Sequence, residues 1–154
     1  MDLIAGAQAP DFRLPRDEGG DVTLADFHGR KLVLYFYPRA DTPGCTLEAQ
    51  AFSARRDAFT AADTAILGVS ADPIKAQIAF RNKYSLRISL ASDETRQMLL
   101  AYGVWGEKSM YGRTFMGVSR ATFLIGRDGR IARVWPKVKV EGHAAEVLEA
   151  AQAL

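Results

Sequence analysis

Cys45 is the only cysteine in the sequence, and it stands in the run Pro38-Arg39-Ala40-Asp41-Thr42-Pro43-Gly44-Cys45-Thr46-Leu47-Glu48, where a strand pattern hands over to a helix pattern. Thr42 is a good helix N-cap and Pro43 suits the first helical position, so Cys45 falls on the third. In a capping box that place holds a side chain reaching back to the cap. Here it holds sulfur. Free backbone N–H groups and the positive end of the helix dipole favour an anion there, and the thiolate is the attacking form of cysteine. Pro38 ends the strand and brings no N–H, which leaves the approach to the thiol free of a competing backbone donor. Glu48, one turn on, shares the helical face and opposes a thiolate, so a reactive sulfur needs a cation nearby. The bland alternatives are an inert, buried thiol for Cys45 and a solvated surface acid for Glu48. A helix N-terminus behind Thr-Pro-Gly weighs toward reactivity.

The elements that must position this thiol alternate between strand and helix. Leu32 to Tyr37 is a continuous apolar run, the pattern of a strand buried on both faces, and Ala65 to Ser70 and Ala121 to Ile125 repeat it. Helices are expected at Gly44 to Ala62, Pro73 to Tyr84 and Glu94 to Tyr102. A last helix from His143 to Leu154 places Ala144, Val147, Leu148, Ala151 and Leu154 on one stripe. Gly126-Arg127-Asp128-Gly129-Arg130 reads as a hairpin turn into Ile131 to Trp135, and Phe12 to Leu14 with Asp21 to Thr23 makes a small N-terminal hairpin. The expected architecture is α/β, a mixed central sheet flanked by helices, in one domain over residues 1–154. A right-handed βαβ unit from Leu32 to Ser70 puts the start of the helix, and so Cys45, at the carboxyl edge of the sheet, where open α/β sheets place their sites.

Composition narrows the function classes. A balance of 20 basic against 18 acidic residues gives a net charge of +2, which points to neither a nucleic-acid nor a polybasic membrane surface. The N-terminal stretch lacks the apolar core of a signal peptide and no run approaches a membrane span, so a soluble, cytoplasmic protein is expected. One cysteine excludes an intrachain disulfide framework, and His28 and His143, far apart in sequence, suggest no zinc cluster.

The run Pro38-x-x-x-Thr42-x-x-Cys45 resembles the active-site signature of the peroxiredoxins, and Asp41 to Ala49 resembles the subgroup called bacterioferritin comigratory protein or peroxiredoxin Q. Matching segments continue through Ala9-Pro10-Asp11-Phe12, Leu67-Gly68-Val69-Ser70, Lys108 to Gly112, Gly117 to Ile125 and Trp135 to Ala144, nearly the whole chain. The resemblance implies a thioredoxin-like fold and reduction of hydroperoxides. It makes Cys45 the peroxidatic nucleophile, Thr42 a hydrogen-bond partner of thiolate and peroxide, Pro38 a shield, and Arg120 the cation. Without it, Arg120 reads as a surface arginine at a strand entrance. Glu48 then orients Arg120. No metal, haem or flavin is implied.

Relatives of this kind carry a second, resolving cysteine five residues after the first or in the next helix, positions that fall here on Gln50 and Phe80. Neither is a thiol, so the resemblance implies a one-cysteine cycle closed by an external thiol: thioredoxin, glutaredoxin or a small thiol. A sulfenic acid that waits for such a partner is open to further oxidation. Tyr37, Tyr111, Phe115 and Met116 are expected to line an entrance that admits organic hydroperoxides as well as hydrogen peroxide; core or hairpin packing is the alternative for each. A monomer is expected. Three other classes compete: a peroxide sensor that signals without turnover, a thiol-disulfide oxidoreductase, which normally needs a Cys-x-x-Cys pair, and a structural protein with an inert thiol.

Overall fold

The computed structural model describes residues 3–154. Its centre is a five-stranded mixed sheet in the order β5-β4-β3-β8-β9. Strand β3 (Lys31–Phe36) lies in the middle, parallel to β4 (Thr64–Ser70), which is parallel to β5 (Ser89–Ser92). On its other side β3 runs antiparallel to β8 (Ala121–Ile125), and β8 is antiparallel to β9 (Ile131–Trp135). Every residue of β3 is buried, because both faces of the sheet are covered. Leu32, Leu34 and Phe36 point into one core with Leu67, Val69 and Phe123. Val33 and Tyr35 point into the other with Phe52, Phe59 and Val147, as the two-residue strand period requires.

The second core is roofed by α1 (Pro43–Ala54), α2 (Arg56–Ala61), α3 (Ile74–Tyr84) and α5 (His143–Ala153). The first is closed by α4 (Gln97–Ala101) and by the hairpin of β1 (Arg13–Pro15) and β2 (Asp21–Thr23) with the short 3-10 turn that follows it. The expected N-terminal hairpin, the β8–β9 hairpin and the βαβ order are therefore present. Gly129 takes a positive φ of 81° in the β8–β9 turn, where a Cβ would be strained.

Four elements differ from the sequence reading. The helix expected from Gly44 to Ala62 breaks at Arg55, whose N–H turns back to Phe52 in a tighter bond of 3.1 Å and redirects the chain into α2. The helix expected from Glu94 starts only at Gln97, because Arg96 sits in the left-handed region and the Asp93 carboxylate accepts the Leu99 N–H at 2.9 Å. Leu154 drops off the α5 stripe: it follows the last helical residue and is half exposed, while Ala144, Val147 and Ala151 are buried. A further hairpin was not anticipated: β6 (Trp105–Met110) pairs antiparallel with β7 (Arg113–Val118) outside the main sheet. Its two-residue turn, Tyr111-Gly112, has positive φ at both positions, the geometry of a type I′ hairpin. No helix among the described residues is long and apolar enough to cross a membrane.

Candidate active site

The carboxyl ends of the parallel strands β3 and β4 open onto the start of α1, and Cys45 lies there, 1% exposed. Thr42 is extended at φ −96° and ψ 157°, Pro43 opens the helix, and the Thr46 N–H makes the first helical bond to the Thr42 carbonyl at 2.9 Å. Pro43 has no N–H. The amides of Gly44 and Cys45 thus take no partner among the described residues, and the helix start presents free donors beside the sulfur.

Arg120 arrives from the loop between β7 and β8. Its Nη2 donates to Cys45 Sγ at 3.4 Å and its Nη1 to Glu48 Oε1 at 2.7 Å. One guanidinium thus bridges sulfur and carboxylate. Burial pulls the Arg120 pKa down, but Glu48 and Cys45 together raise it further, so the group is permanently charged. Glu48 is 1% exposed rather than a solvated surface acid, and Arg120 is mostly covered rather than a surface arginine. Both bland readings are corrected by packing: α1 turns Glu48 inward, where Arg120 is its hydrogen-bond partner among the described residues. Burial pushes the Glu48 carboxyl up to about 7, against the opposing pull of Arg120. Its second oxygen, Oε2, is buried with no hydrogen-bond partner among the described residues.

Thr42 is at the cap position, but its side chain does not cap α1. The hydroxyl instead donates to the Arg39 carbonyl at 2.8 Å. Its one proton is used in that bond, so towards the site the oxygen can act only as an acceptor. Pro38 is half-buried just past the end of β3. The five residues singled out from the sequence therefore fall in one region: Cys45, Glu48 and Arg120 in direct contact, Thr42 at the helix start and Pro38 on the strand exit.

The expected entrance does not form as a group. Tyr37 is 1% exposed and belongs to the same buried cluster as Cys45, tilted against Tyr35, which itself stacks on Phe52 at 4.8 Å between ring centroids. Tyr111, Phe115 and Met116 are carried outward on the β6–β7 hairpin, exposed to solvent. Alternation explains little here because only the base of the hairpin, Trp105 and Val118, packs against the core, and the rest is open to solvent. Phe80 packs inside the core against Tyr37 and Tyr84, and Gln50 is exposed on α1. Residues missed by the sequence reading include Tyr35, whose buried hydroxyl finds no partner among the described residues, and Gln77, which accepts a hydrogen bond from the Tyr37 hydroxyl. A single glutamine in a helix that mixes apolar and charged residues gives no distinguishing signal in sequence.

Residues 5–134 match the AhpC/TSA family. The chain is 45% identical to the putative peroxiredoxin bcp of Coxiella burnetii, over 96% of this chain and 98% of the relative. It is 41% identical to peroxiredoxin Bcp of Bacillus subtilis, over 97% of this chain and 95% of the relative. Among solved structures it resembles Xanthomonas campestris peroxiredoxin Q, with a TM-score of 0.90 and 40% identity over 97% of both chains. A Xylella fastidiosa PrxQ variant superposes with a TM-score of 0.93 at 35% identity, covering 99% of this chain and 98% of its own.

Proposed function

Since the chain belongs to the AhpC/TSA family and is a thiol-dependent peroxidase with a thioredoxin fold, we propose that Cys45 is its peroxidatic nucleophile and that an external thiol closes the cycle. The Cys45 thiolate attacks the distal oxygen of a hydroperoxide. The O–O bond breaks, the sulfur becomes a sulfenic acid, and the departing oxygen takes up a proton and leaves as water or an alcohol. The observation that carries this reading is the Arg120 bridge, because a fixed cation 3.4 Å from the sulfur stabilises the thiolate and the negative charge that grows on the peroxide. Thr42 accepts a hydrogen bond from the peroxide O–H, Pro38 limits access from the strand side, and Glu48 orients the guanidinium. A thiol then attacks the sulfenic acid and releases water, and a second thiol reduces the mixed disulfide to restore Cys45.

The sequence offers no second cysteine to do this internally. Two solved variants of the X. campestris protein carry serine in place of cysteines 36 residues apart. Counted from Cys45 without a gap, that separation reaches Arg81, one residue beyond the Phe80 of the sequence reading. Arg81 is held by Asp17 at 2.9 Å. Thioredoxin, glutaredoxin or a small thiol is the expected reductant. The X. campestris bacterioferritin comigratory protein has alkyl peroxide reduction activity, and organic hydroperoxides are proposed substrates here beside hydrogen peroxide. We place the enzyme in the cytoplasm, as a monomer.

Rapid mixing of the reduced protein with peroxide tests the roles. Cys45→Ser is expected to abolish the reaction, and Arg120→Ala to slow it about 100- to 1,000-fold. A wild-type rate in Cys45→Ser would end the reading. Repeated turnover with added thiol is expected; a single reaction that then stops would identify a sensor instead.

A further inference from the structure

The chain between the end of β3 and the start of α1 belongs to no regular element, yet it must hold Thr42 and the free amides of α1 against the sulfur. Three of its residues are tied to one neighbouring surface, α3 and the turn that leads into it. Tyr37 donates its hydroxyl proton to Gln77 Oε1 on α3. The Ala40 N–H donates to Asp72 Oδ2 at 2.8 Å, and the Ser70 hydroxyl donates to the same oxygen at 2.6 Å. Gln77 Nε2 completes the chain by donating to Ser70 Oγ at 2.8 Å and to the Ala91 carbonyl at 3.0 Å. Asp41, strained at a φ of 60°, accepts from Lys83 Nζ at 2.9 Å and from the Tyr84 hydroxyl at 2.6 Å, both on α3. Gln77 is fully buried with every side-chain hydrogen bond directed into this network.

We propose that Asp72, with Asp41 as its outer partner, is a positioning residue for Cys45: it pins the Ala40-Asp41 segment to α3 and thereby sets the distance between the α1 start and Arg120. Arg120 directly precedes β8, which is paired with β3 and not with the Ala40-Asp41 segment, so the position of that segment helps to set its separation from the sulfur. A displacement of the loop by about 1 Å would move Thr42, Gly44 and Cys45 together relative to the guanidinium, enough to cost roughly tenfold or more in rate. Asp72 touches neither sulfur nor peroxide, so its effect is carried through Ala40. The proposal rests on Cys45 being the peroxidatic thiol.

The test compares two reactions of the same sulfur, reduction of peroxide and alkylation by iodoacetamide, which needs the thiolate but no peroxide aligned with Thr42 and Arg120. In Asp72→Ala the ratio of peroxide rate to alkylation rate is expected to fall about tenfold or more, and in Asp72→Asn, whose amide oxygen still accepts from Ala40 and Ser70, to stay within about threefold of wild type. Tyr84→Phe removes one donor to Asp41 from a partly exposed position without opening the core, and its ratio is expected to fall several-fold. An unchanged ratio in both Asp72→Ala and Tyr84→Phe, or an equal loss in Asp72→Asn and Asp72→Ala, would overturn the clamp. A wild-type protein that alkylates but does not react with peroxide would overturn the peroxidase reading, and the clamp with it.

Discussion

The contact between Arg120 and Cys45 passes over Gly44, where a Cβ would lie 3.1 Å from Arg120 Nη2. Gly44 is helical and has no positive φ, so alanine there is compatible with the backbone and a better helix former by about 0.5–1 kcal/mol. Gly44→Ala is therefore expected to keep or raise the melting temperature while lowering the peroxide rate about tenfold, because the guanidinium must back away from the sulfur. Calorimetry and rapid mixing on the same sample check both halves. Glu48 gives a second separation. The folded protein keeps its proton up to about 7, whereas the unfolded chain releases it near the ordinary carboxyl value of 4.5. Between those values the native state binds more protons, so wild-type stability falls as pH rises through that window, by on the order of 3 kcal/mol, and is flat outside it. Glu48→Gln does not titrate, and urea midpoints across the window should show the wild type losing ground to it only there. A constant difference would count against the buried, proton-holding carboxyl. Cys45 and Thr42 were legible as a pair from the helix-start pattern alone. The match of Glu48 with Arg120 came from the family resemblance alone, because 72 residues separate them and spacing cannot say which of many arginines folds back.

Among the elements, those with two covered faces were the most readable. Strand β3 announces itself as an apolar run because the sheet has cores on both sides, and β4 and β8 do so for the same reason. A close cross-strand fit accompanies this. Gly68 on β4 is paired with Tyr35 on β3, and a Cβ at Gly68 would come within 2.7 Å of the Tyr35 ring. That ring is wholly buried and stacked on Phe52, leaving little room to move. Gly68→Ala is expected to destabilise the protein by about 1–3 kcal/mol through overpacking. A shift in the urea midpoint at unchanged slope would show it, and an unaltered midpoint would mean that the ring relaxes freely. The β6–β7 hairpin illustrates the opposite case. Its strands bury little, so they carry no apolar alternation, and only backbone pairing and the left-handed Tyr111-Gly112 turn define them. The break at Arg55 escaped notice because the sequence there has no proline or glycine to mark it.

At the scale of the molecule, a single thiol shapes the whole catalytic cycle. In the cycle proposed above, a sulfenic acid with no internal partner waits for an outside thiol, and at high peroxide and limiting thiol it is expected to gain a second oxygen and become sulfinic. Mass spectrometry of Cys45 after graded peroxide is expected to show that species growing with the peroxide-to-thiol ratio. Its absence at high ratio would argue against external resolution. The solitude of the cysteine, its place at a helix start, the buried strands and the family resemblance were all readable in the sequence, because each depends on residue type or on spacing within one element. That Glu48 is buried, that Tyr37 lies in the core rather than at an entrance, and that α3 holds the Ala40-Asp41 segment were decided only by tertiary structure. These are contacts between residues tens of positions apart, and their partners are chosen by how the helices pack across the sheet rather than by any local pattern.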